Sequence, residues 1–249
     1  MFTAYIAEFI GTMLLVLLGD GVCASLSLDG SLFKGAGPIY TMLGWGLAVM
    51  LPAMAFGTQS AAHFNPALTI SLAVIGAFPW SGVLGYIVAQ MLGGFVGAIL
   101  VYVVFHDQFK LTLDNGAAKE DLRGIFCTGP AIRNLPMNVV GEAFATFALV
   151  FFIVSIGTGA KLVGDVGLNY FFVYGIIMSC GFSLGSTTGF AMNPARDTSP
   201  RLAYAVLFHG DADWGYAWVP IVGSLIGGIV GALLASYTTA LPALATLLG

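Results

Sequence analysis

The sequence carries very little charge. Only 8% of its 249 residues are Asp, Glu, Lys or Arg, whereas soluble domains carry roughly 25%. Lysine and arginine number 8 against 12 acidic residues, and this acidic balance argues against a nucleic-acid partner. The composition therefore disfavours both a water-soluble fold and a protein that binds nucleic acid.

Cysteine is also scarce. The three cysteines, Cys23, Cys127 and Cys180, are an odd number and lack the spacing of metal ligands. Two of them lie in apolar runs, where a free cysteine behaves as a small buried hydrophobe. The sequence therefore predicts no disulfide, no metal site and no cofactor.

Long apolar runs are abundant, since 58% of the residues are hydrophobic. About 20 helical residues cross a bilayer core of roughly 30 Å. Six runs of suitable length occur, at 5–28, 39–56, 80–105, 137–156, 169–184 and 218–239. The first run has no basic region before it and no cleavage site, so we expect it to be retained. These runs predict an all-α polytopic protein that spans the lipid bilayer with six helices.

Two further apolar runs, 66–77 and 194–207, are only about half a bilayer long at ~1.5 Å per residue. They cannot cross the membrane alone. The segment 106–136 holds most of the charge and is predicted to connect the spans outside the membrane.

The chain contains an internal repeat. "EFIGTMLLV" (8–16) parallels "EAFATFALV" (142–150), and "GTQSAAHFNPA" (57–67) parallels "GSTTGFAMNPA" (185–195). We therefore expect one channel domain over 1–249, with a first repeat at 1–105 and a second at 137–249. Each repeat has three full spans, and this odd number inverts the second repeat relative to the first.

Each repeat contains an Asn-Pro-Ala tripeptide. The two tripeptides are Asn65, Pro66, Ala67 and Asn193, Pro194, Ala195. Asn is a favoured N-cap and Pro a favoured first helical residue, so each tripeptide predicts a helix start. Inversion brings the two starts together near the midplane, where their amides and positive helix ends face one path. A water molecule that accepts from both amides cannot relay a proton, so the pattern indicates a path for neutral solutes that excludes protons and cations.

The two tripeptides, the opening "AEFIGT" (7–12) and "AQMLGGFVGA" (89–98) resemble the aquaporin family over nearly the full length. The resemblance implies the aquaporin fold, with two re-entrant half-helices between inverted repeats, in a homotetramer with one pore per subunit. It also implies a multi-pass cell-membrane protein with cytoplasmic termini. Charge counting points the other way, because segment 106–136 carries four Lys or Arg and the loop 157–168 carries Lys161. Four acids in segment 106–136 balance its bases, so we adopt the orientation of the family.

By resemblance, four residues form the selectivity filter: Trp45, Gly181, Phe190 and Arg196. An arginine at membrane depth costs about 2.5–3.5 kcal/mol, which calls for a function. Water-specific members of the family have a histidine at the position of Gly181. Two aromatic rings and a guanidinium make an amphipathic slot, which resembles the aquaglyceroporin branch. Four further positions agree with that branch: Asp197, Arg201, Pro220 and Ile221.

The resemblance also implies supporting residues. Glu8 and Glu142 are expected to hold the re-entrant loops, and Asp197 the region beside Arg196. The expected acceptors along the pore are the backbone carbonyls of Ala61, Ala62, His63, Gly189, Phe190 and Ala191. The His63 side chain could titrate or bind a metal, but a single histidine in the pore wall is the better interpretation.

The sequence thus predicts a passive channel for glycerol and water, with urea, dihydroxyacetone and undissociated lactic acid as further candidate solutes. A water-selective aquaporin is one alternative, and a secondary transporter is another. A transporter needs intramembrane carboxylates for ion coupling, and the sequence offers no carboxylate pair for this purpose beyond the two structural glutamates, Glu8 and Glu142. No nucleophile lies at a suitable spacing from an acid, so an enzyme is not predicted.

Overall fold

The computed structural model describes the backbone of residues 1–159 and 168–248, and the side chains of residues 1–156 and 168–238. Within these ranges the chain forms helices and no strand. The helices are α1 (Phe2–Ser27), α2 (Pro38–Ser60), α3 (Pro66–Val74), α4 (Trp80–Val104), α5 (His106–Asp114), α6 (Arg123–Phe126), α7 (Leu135–Gly159), α8 (Asn169–Thr188), α9 (Pro194–Phe208) and α10 (Trp214–Leu248). Lys161, which entered the charge count, and Gly249 lie outside the described residues.

Six of these helices, α1, α2, α4, α7, α8 and α10, are long and apolar enough to cross a membrane. Helix α3 has 9 residues and α9 has 15, and at about 1.5 Å per residue neither crosses alone. Large apolar side chains such as Phe2, Leu84 and Val104 are exposed on the outside of the bundle, while its buried positions include carboxylates and amides. The all-α prediction of six spans and two half-helices is confirmed.

The helix contacts repeat between the two halves of the chain. Helix α1 packs against α2 and α4, and α7 packs in the same way against α8 and α10. Each half-helix contacts the third span of the opposite repeat, so that α3 packs against α10 and α9 against α4. The two halves are therefore interlocked through their half-helices.

Glycines at every fourth residue allow these helices to approach closely. A Cβ added at Gly93 would overlap the Phe9 carbonyl oxygen, and one at Gly227 would overlap the carbonyl oxygen of Ala143. Gly97, Gly223 and Gly231 face a neighbouring backbone in the same manner. Small residues at this spacing are common between membrane helices, and here they bring α4 against α1 and α10 against α7.

Segment 106–136, which connects the two repeats, contains regular structure. It contains α5, a 3-10 turn at Lys119–Leu122 and α6. Phe109, Ile125 and Phe126 are each 1% exposed or less, and they contact the core of the bundle. The segment therefore has an apolar face as well as its charged residues. This face packs on the bundle and brings the backbone at Phe126 close to Arg196.

Candidate pore and selectivity filter

Both Asn-Pro-Ala tripeptides begin a helix. The Asn65 Oδ1 accepts hydrogen bonds from the backbone N–H of Ala67 (2.9 Å) and Leu68 (3.4 Å), with Pro66 as the first residue of α3. The same pattern recurs at α9, which has Pro194 as its first residue. There the Asn193 Oδ1 accepts hydrogen bonds from the backbone N–H of Ala195 (2.9 Å) and Arg196 (3.2 Å). Each side chain satisfies N–H groups that a helix start leaves without a partner.

The two helix starts meet and bind each other. Asn65 Nδ2 donates to the Met192 carbonyl (2.8 Å), and Asn193 Nδ2 donates to the Phe64 carbonyl (2.8 Å). A side-chain amide has two N–H donors, so each asparagine keeps one for a solute. Both asparagines line the same cavity, and this cavity therefore has two donors at the junction of the half-helices.

The loops before the two half-helices share an unusual backbone. Ala61, Ala62 and Phe64 have positive φ angles of 59°, 52° and 48°. The residues 128 positions later, Gly189, Phe190 and Met192, have φ angles of 83°, 41° and 51°. Residues other than glycine rarely adopt this conformation, and it persists only where the surroundings impose it.

A buried carboxylate holds the first loop. Glu8 is fully buried in α1, and its Oε1 accepts from the His63 N–H (2.9 Å) and the Ser60 hydroxyl (2.7 Å). Its Oε2 accepts from the Phe64 N–H (2.7 Å) and from Gln90 Nε2 (2.7 Å). Four donors therefore compensate one buried charge and fix the backbone around Phe64.

Glu142 holds the second loop in the corresponding way. Its Oε1 accepts from the Thr188 hydroxyl (2.6 Å) and the Ala191 N–H (3.1 Å), and its Oε2 from the Met192 N–H (3.0 Å). The two glutamates bind equivalent atoms of the two loops, as the repeat predicts.

His63 lies in the wall of the cavity. Its Nδ1 is 3.1 Å from the Thr69 hydroxyl, and its ring packs against Phe78 and Tyr86. In the described part of the chain no three His, Cys, Asp or Glu residues come together as metal ligands.

Arg196 is buried and lines the cavity. Its guanidinium carbon is 4.0 Å from the centroid of the Trp45 ring, within the range of a cation–π contact. Its Nη1 donates to the Phe126 carbonyl (3.4 Å), which places segment 106–136 at the filter. Trp45, Phe190 and Arg196 all line the cavity.

Gly181 has a neighbour that the sequence did not indicate. A Cβ added at Gly181 would lie 3.2 Å from the Phe190 ring and would overlap the sulfur of Met42. Gly181 therefore stands beside Phe190 as expected, but the Met42 side chain fills the space next to it. Gly181 itself is not among the residues that line the cavity.

Asp197, the residue after Arg196, belongs to a buried hydrogen-bond network. Its Oδ2 accepts from both the N–H (2.7 Å) and the hydroxyl (2.6 Å) of Thr128, and its Oδ1 accepts from Arg201 Nε (3.1 Å) and Nη2 (2.9 Å). Arg201 also donates to the carbonyls of Ala212 (2.6 Å) and Thr128 (2.8 Å). This network fixes the chain two residues beyond Phe126, whose carbonyl accepts from Arg196.

The cavity has a volume of about 340 Å³ and an amphipathic wall. The two loops supply its polar side, from Ala61, Ala62, His63 and Asn65 to Phe190, Ala191 and Asn193. Much of the remaining lining is apolar and includes Leu15, Val49, Ala53, Leu149, Ile153 and Ile177. Six residues were expected to present backbone carbonyls along the pore. Five of them line this cavity, and Gly189 does not.

Two aspartates are buried in the described helices besides Glu8 and Glu142. Asp20 is fully buried within α1, and Asp197 is fully buried in α9. Asp20 Oδ1 lies 3.6 Å from Arg196 Nη1. A second acid in the first apolar run, twelve residues after Glu8, was the available signal. Its proximity to Arg196 becomes apparent only in the folded bundle, where α1 lies beside α9.

Comparison with known proteins gives a consistent result. The family model described as "Major intrinsic protein" matches residues 1–235. A probable glycerol uptake facilitator protein of Thermotoga maritima is 48% identical over 94% of this chain and 99% of its own. The glycerol uptake facilitator protein of Bacillus subtilis is 47% identical over 92% of this chain and 82% of its own. The X-ray structure of the aquaglyceroporin from Plasmodium falciparum superposes with a TM-score of 0.81 at 30% identity, covering 93% of this chain and 94% of that one. The chain therefore belongs to the major intrinsic protein family.

Proposed function

We propose that the protein is a passive cell-membrane channel that conducts glycerol, together with water and other small uncharged solutes, and excludes protons and ions. The observation that carries the proposal is the Arg196 guanidinium lying 4.0 Å over Trp45, with Phe190 on the same cavity. Glycerol has a carbon face and a hydroxyl face. An aromatic surface beside fixed N–H donors matches both.

The remaining path supports transport of a hydroxyl-bearing solute. Asn65 and Asn193 each retain one N–H after binding the opposite loop, and the loop carbonyls supply acceptors. Positive helix ends at the junction repel cations. A solute oxygen that accepts from both amides breaks a proton wire, so water passes without protons.

Stopped-flow light scattering on proteoliposomes tests the proposal. Vesicles containing the protein should reswell rapidly in glycerol, should shrink rapidly in an impermeant osmolyte, and should not dissipate a pH gradient faster than empty vesicles. Urea, dihydroxyacetone and lactic acid at acidic pH extend the solute panel. Rapid water flux without glycerol flux would make the protein a water-selective aquaporin, and proton flux at the rate of water would overturn the proposal.

The same vesicles separate a channel from a secondary transporter. Glu8, Glu142 and Asp197 each accept at least three hydrogen bonds from the protein. Asp20, the other fully buried carboxylate of the described chain, is paired with Arg196 at 3.6 Å. These partners leave little capacity to bind a coupling ion. Glycerol flux should therefore rise linearly with concentration and ignore imposed sodium or proton gradients. Saturable, gradient-dependent uptake would favour a transporter.

The proposal includes cytoplasmic termini and a homotetramer with one pore per subunit. Proteolysis within segment 106–136 on intact cells tests the orientation, since that segment should then be accessible from outside. Native mass measurement of the purified protein tests the assembly.

A further inference from the structure

Asp20 differs from the other buried carboxylates of the described chain. Glu8, Glu142 and Asp197 are fully buried and each accepts at least three hydrogen bonds. Asp20 is equally buried, and within the described residues neither of its oxygens accepts one. A buried charge without compensation is costly, so this exception requires a function.

The positively charged group next to the Asp20 carboxylate is the Arg196 guanidinium. Their closest atoms are Asp20 Oδ1 and Arg196 Nη1, 3.6 Å apart, which is an ion pair but too long for a hydrogen bond. Arg196 lines the cavity whereas Asp20 does not. Asp20 therefore acts on the solute path only through the guanidinium.

Neighbouring residues of α1 contact the other half of the filter. Cys23, three residues after Asp20, accepts from Trp45 Nε1 at 3.4 Å. Gly19 packs against the Trp45 ring so closely that an added Cβ would overlap it. One face of α1 thus supports both members of the stacked Trp45–Arg196 pair.

The charges around the filter are balanced. Arg201 is paired with Asp197 at 2.9 Å, and both side chains are fully buried. In the described chain the ion-pair partner of Arg196 is Asp20. Without Asp20 the guanidinium would carry an uncompensated charge next to the cavity.

We propose that Asp20 is a positioning and specificity-determining residue of the filter. Its carboxylate holds the Arg196 guanidinium against Trp45 and neutralises it. The cavity-facing N–H groups then bind the hydroxyls of neutral solutes without retaining anions. The inference rests on the proposed function, because it assigns the solute selectivity of that same path.

The test replaces the carboxylate by an amide of the same shape. In Asp20→Asn the guanidinium becomes an unpaired cation, which favours small carboxylates that bind it bidentately. Glycerol permeability should fall about tenfold, the coupling expected within one salt-bridge network. Sodium formate at constant osmolarity should inhibit the remaining flux in Asp20→Asn and leave the wild-type protein unaffected.

A double-mutant cycle separates this role from general stabilisation. In an Arg196→Gln background, Asp20→Asn should change neither glycerol flux nor formate sensitivity, because the partner is absent. Asp29→Asn is the matched control, since Asp29 lies just beyond the same helix and pairs with the surface residue Lys34. This control should behave like the wild-type protein.

Each outcome of these measurements either supports or overturns the proposed role of Asp20. Wild-type behaviour of Asp20→Asn, or an equal effect in both backgrounds, would overturn the proposal. Should Asp20→Asn not assemble, the double variant, which has neither charge, should assemble and conduct water. Failure of the double variant as well would show a structural role alone. Formate inhibition of osmotic water flux reports on Asp20 even if glycerol does not pass, which distinguishes the failure of this inference from the failure of the proposed function.

Discussion

Replacement of Glu142 tests how the second re-entrant loop is held. The Glu142 carboxylate accepts three hydrogen bonds, from the Thr188 hydroxyl and the N–H groups of Ala191 and Met192. Glu142→Ala leaves all three donors without a partner inside the protein. Ala191 and Met192 line the cavity, where water can replace part of the loss, so the lower value of about 1 kcal/mol per donor applies. The free energy of unfolding should fall by about 3 kcal/mol, from three donors at about 1 kcal/mol each.

Glu142→Gln should be milder. The amide oxygen can still accept from Thr188 and Ala191, while its NH₂ group faces the Met192 N–H, so that one donor is lost at a cost of about 1 kcal/mol. With about 2–4 °C per kcal/mol for a chain of this size, the midpoint should fall by about 6–12 °C in Glu142→Ala and by about 2–4 °C in Glu142→Gln.

Thermal unfolding of the purified protein and stopped-flow glycerol flux measure the two effects together. Flux should follow the same order as stability, because the loop that carries Phe190 loses its anchor. Glu120→Ala is the control, since Glu120 is exposed and its carboxylate accepts a long 3.3 Å bond from the Asp211 N–H at the protein surface. Equal effects of the alanine and glutamine variants, or an unchanged midpoint in both, would refute the reasoning.

Three further changes probe the filter and the surface that supports it. Gly181→His should reduce glycerol flux far more than water flux in stopped-flow assays, because the imidazole narrows the path beside Phe190; equal losses would contradict this. Met42→Ala should raise the flux of four-carbon polyols relative to glycerol, because it empties the space beside Gly181; an unchanged ratio would contradict it. The Arg133 guanidinium, bound to Asp213 at 2.8 and 3.0 Å, holds the pKa of that carboxyl below its usual range. Because the folded-state pKa is lowered, the pair stabilises the protein at neutral pH and loses its effect as the pH falls below about 4, so the midpoint difference between wild type and Asp213→Asn should vanish in acid.

Much of the helical architecture could be predicted because it depends on local properties. Apolar length indicated the six spans, and the Asn-Pro-Ala tripeptides indicated the two half-helices. Some helix boundaries differ from the predicted ones, at positions where a residue with a positive φ angle ends or precedes the helix. Helix α8 continues beyond the apolar run to Thr188 and ends where Gly189 adopts a left-handed conformation. Helix α10 starts at Trp214 and not at residue 218, directly after Asp213 with its φ of 50°.

The environment of Arg196 could not be predicted in the same way. Its partners Asp20, Trp45 and Phe126 lie on three separate elements, and sequence spacing does not give the rotation of one helix against another. The position of the Met42 side chain beside Gly181 could not be predicted either, because α2 and α8 come into contact only in the folded bundle. Asp197 was expected from resemblance, but its bonds to Thr128 depend on the fold of segment 106–136.

The crossed amide bonds of the half-helices have a consequence for biosynthesis. Asn65 donates to Met192 and Asn193 to Phe64, so neither loop can complete its bonding alone. During translation the Asn65 amide remains without this partner until the 127 residues that follow it have been synthesised. Pairing of the two half-helices thus depends on synthesis of the second repeat, and a chain truncated before Met192 would leave the Asn65 amide without its partner carbonyl in the membrane.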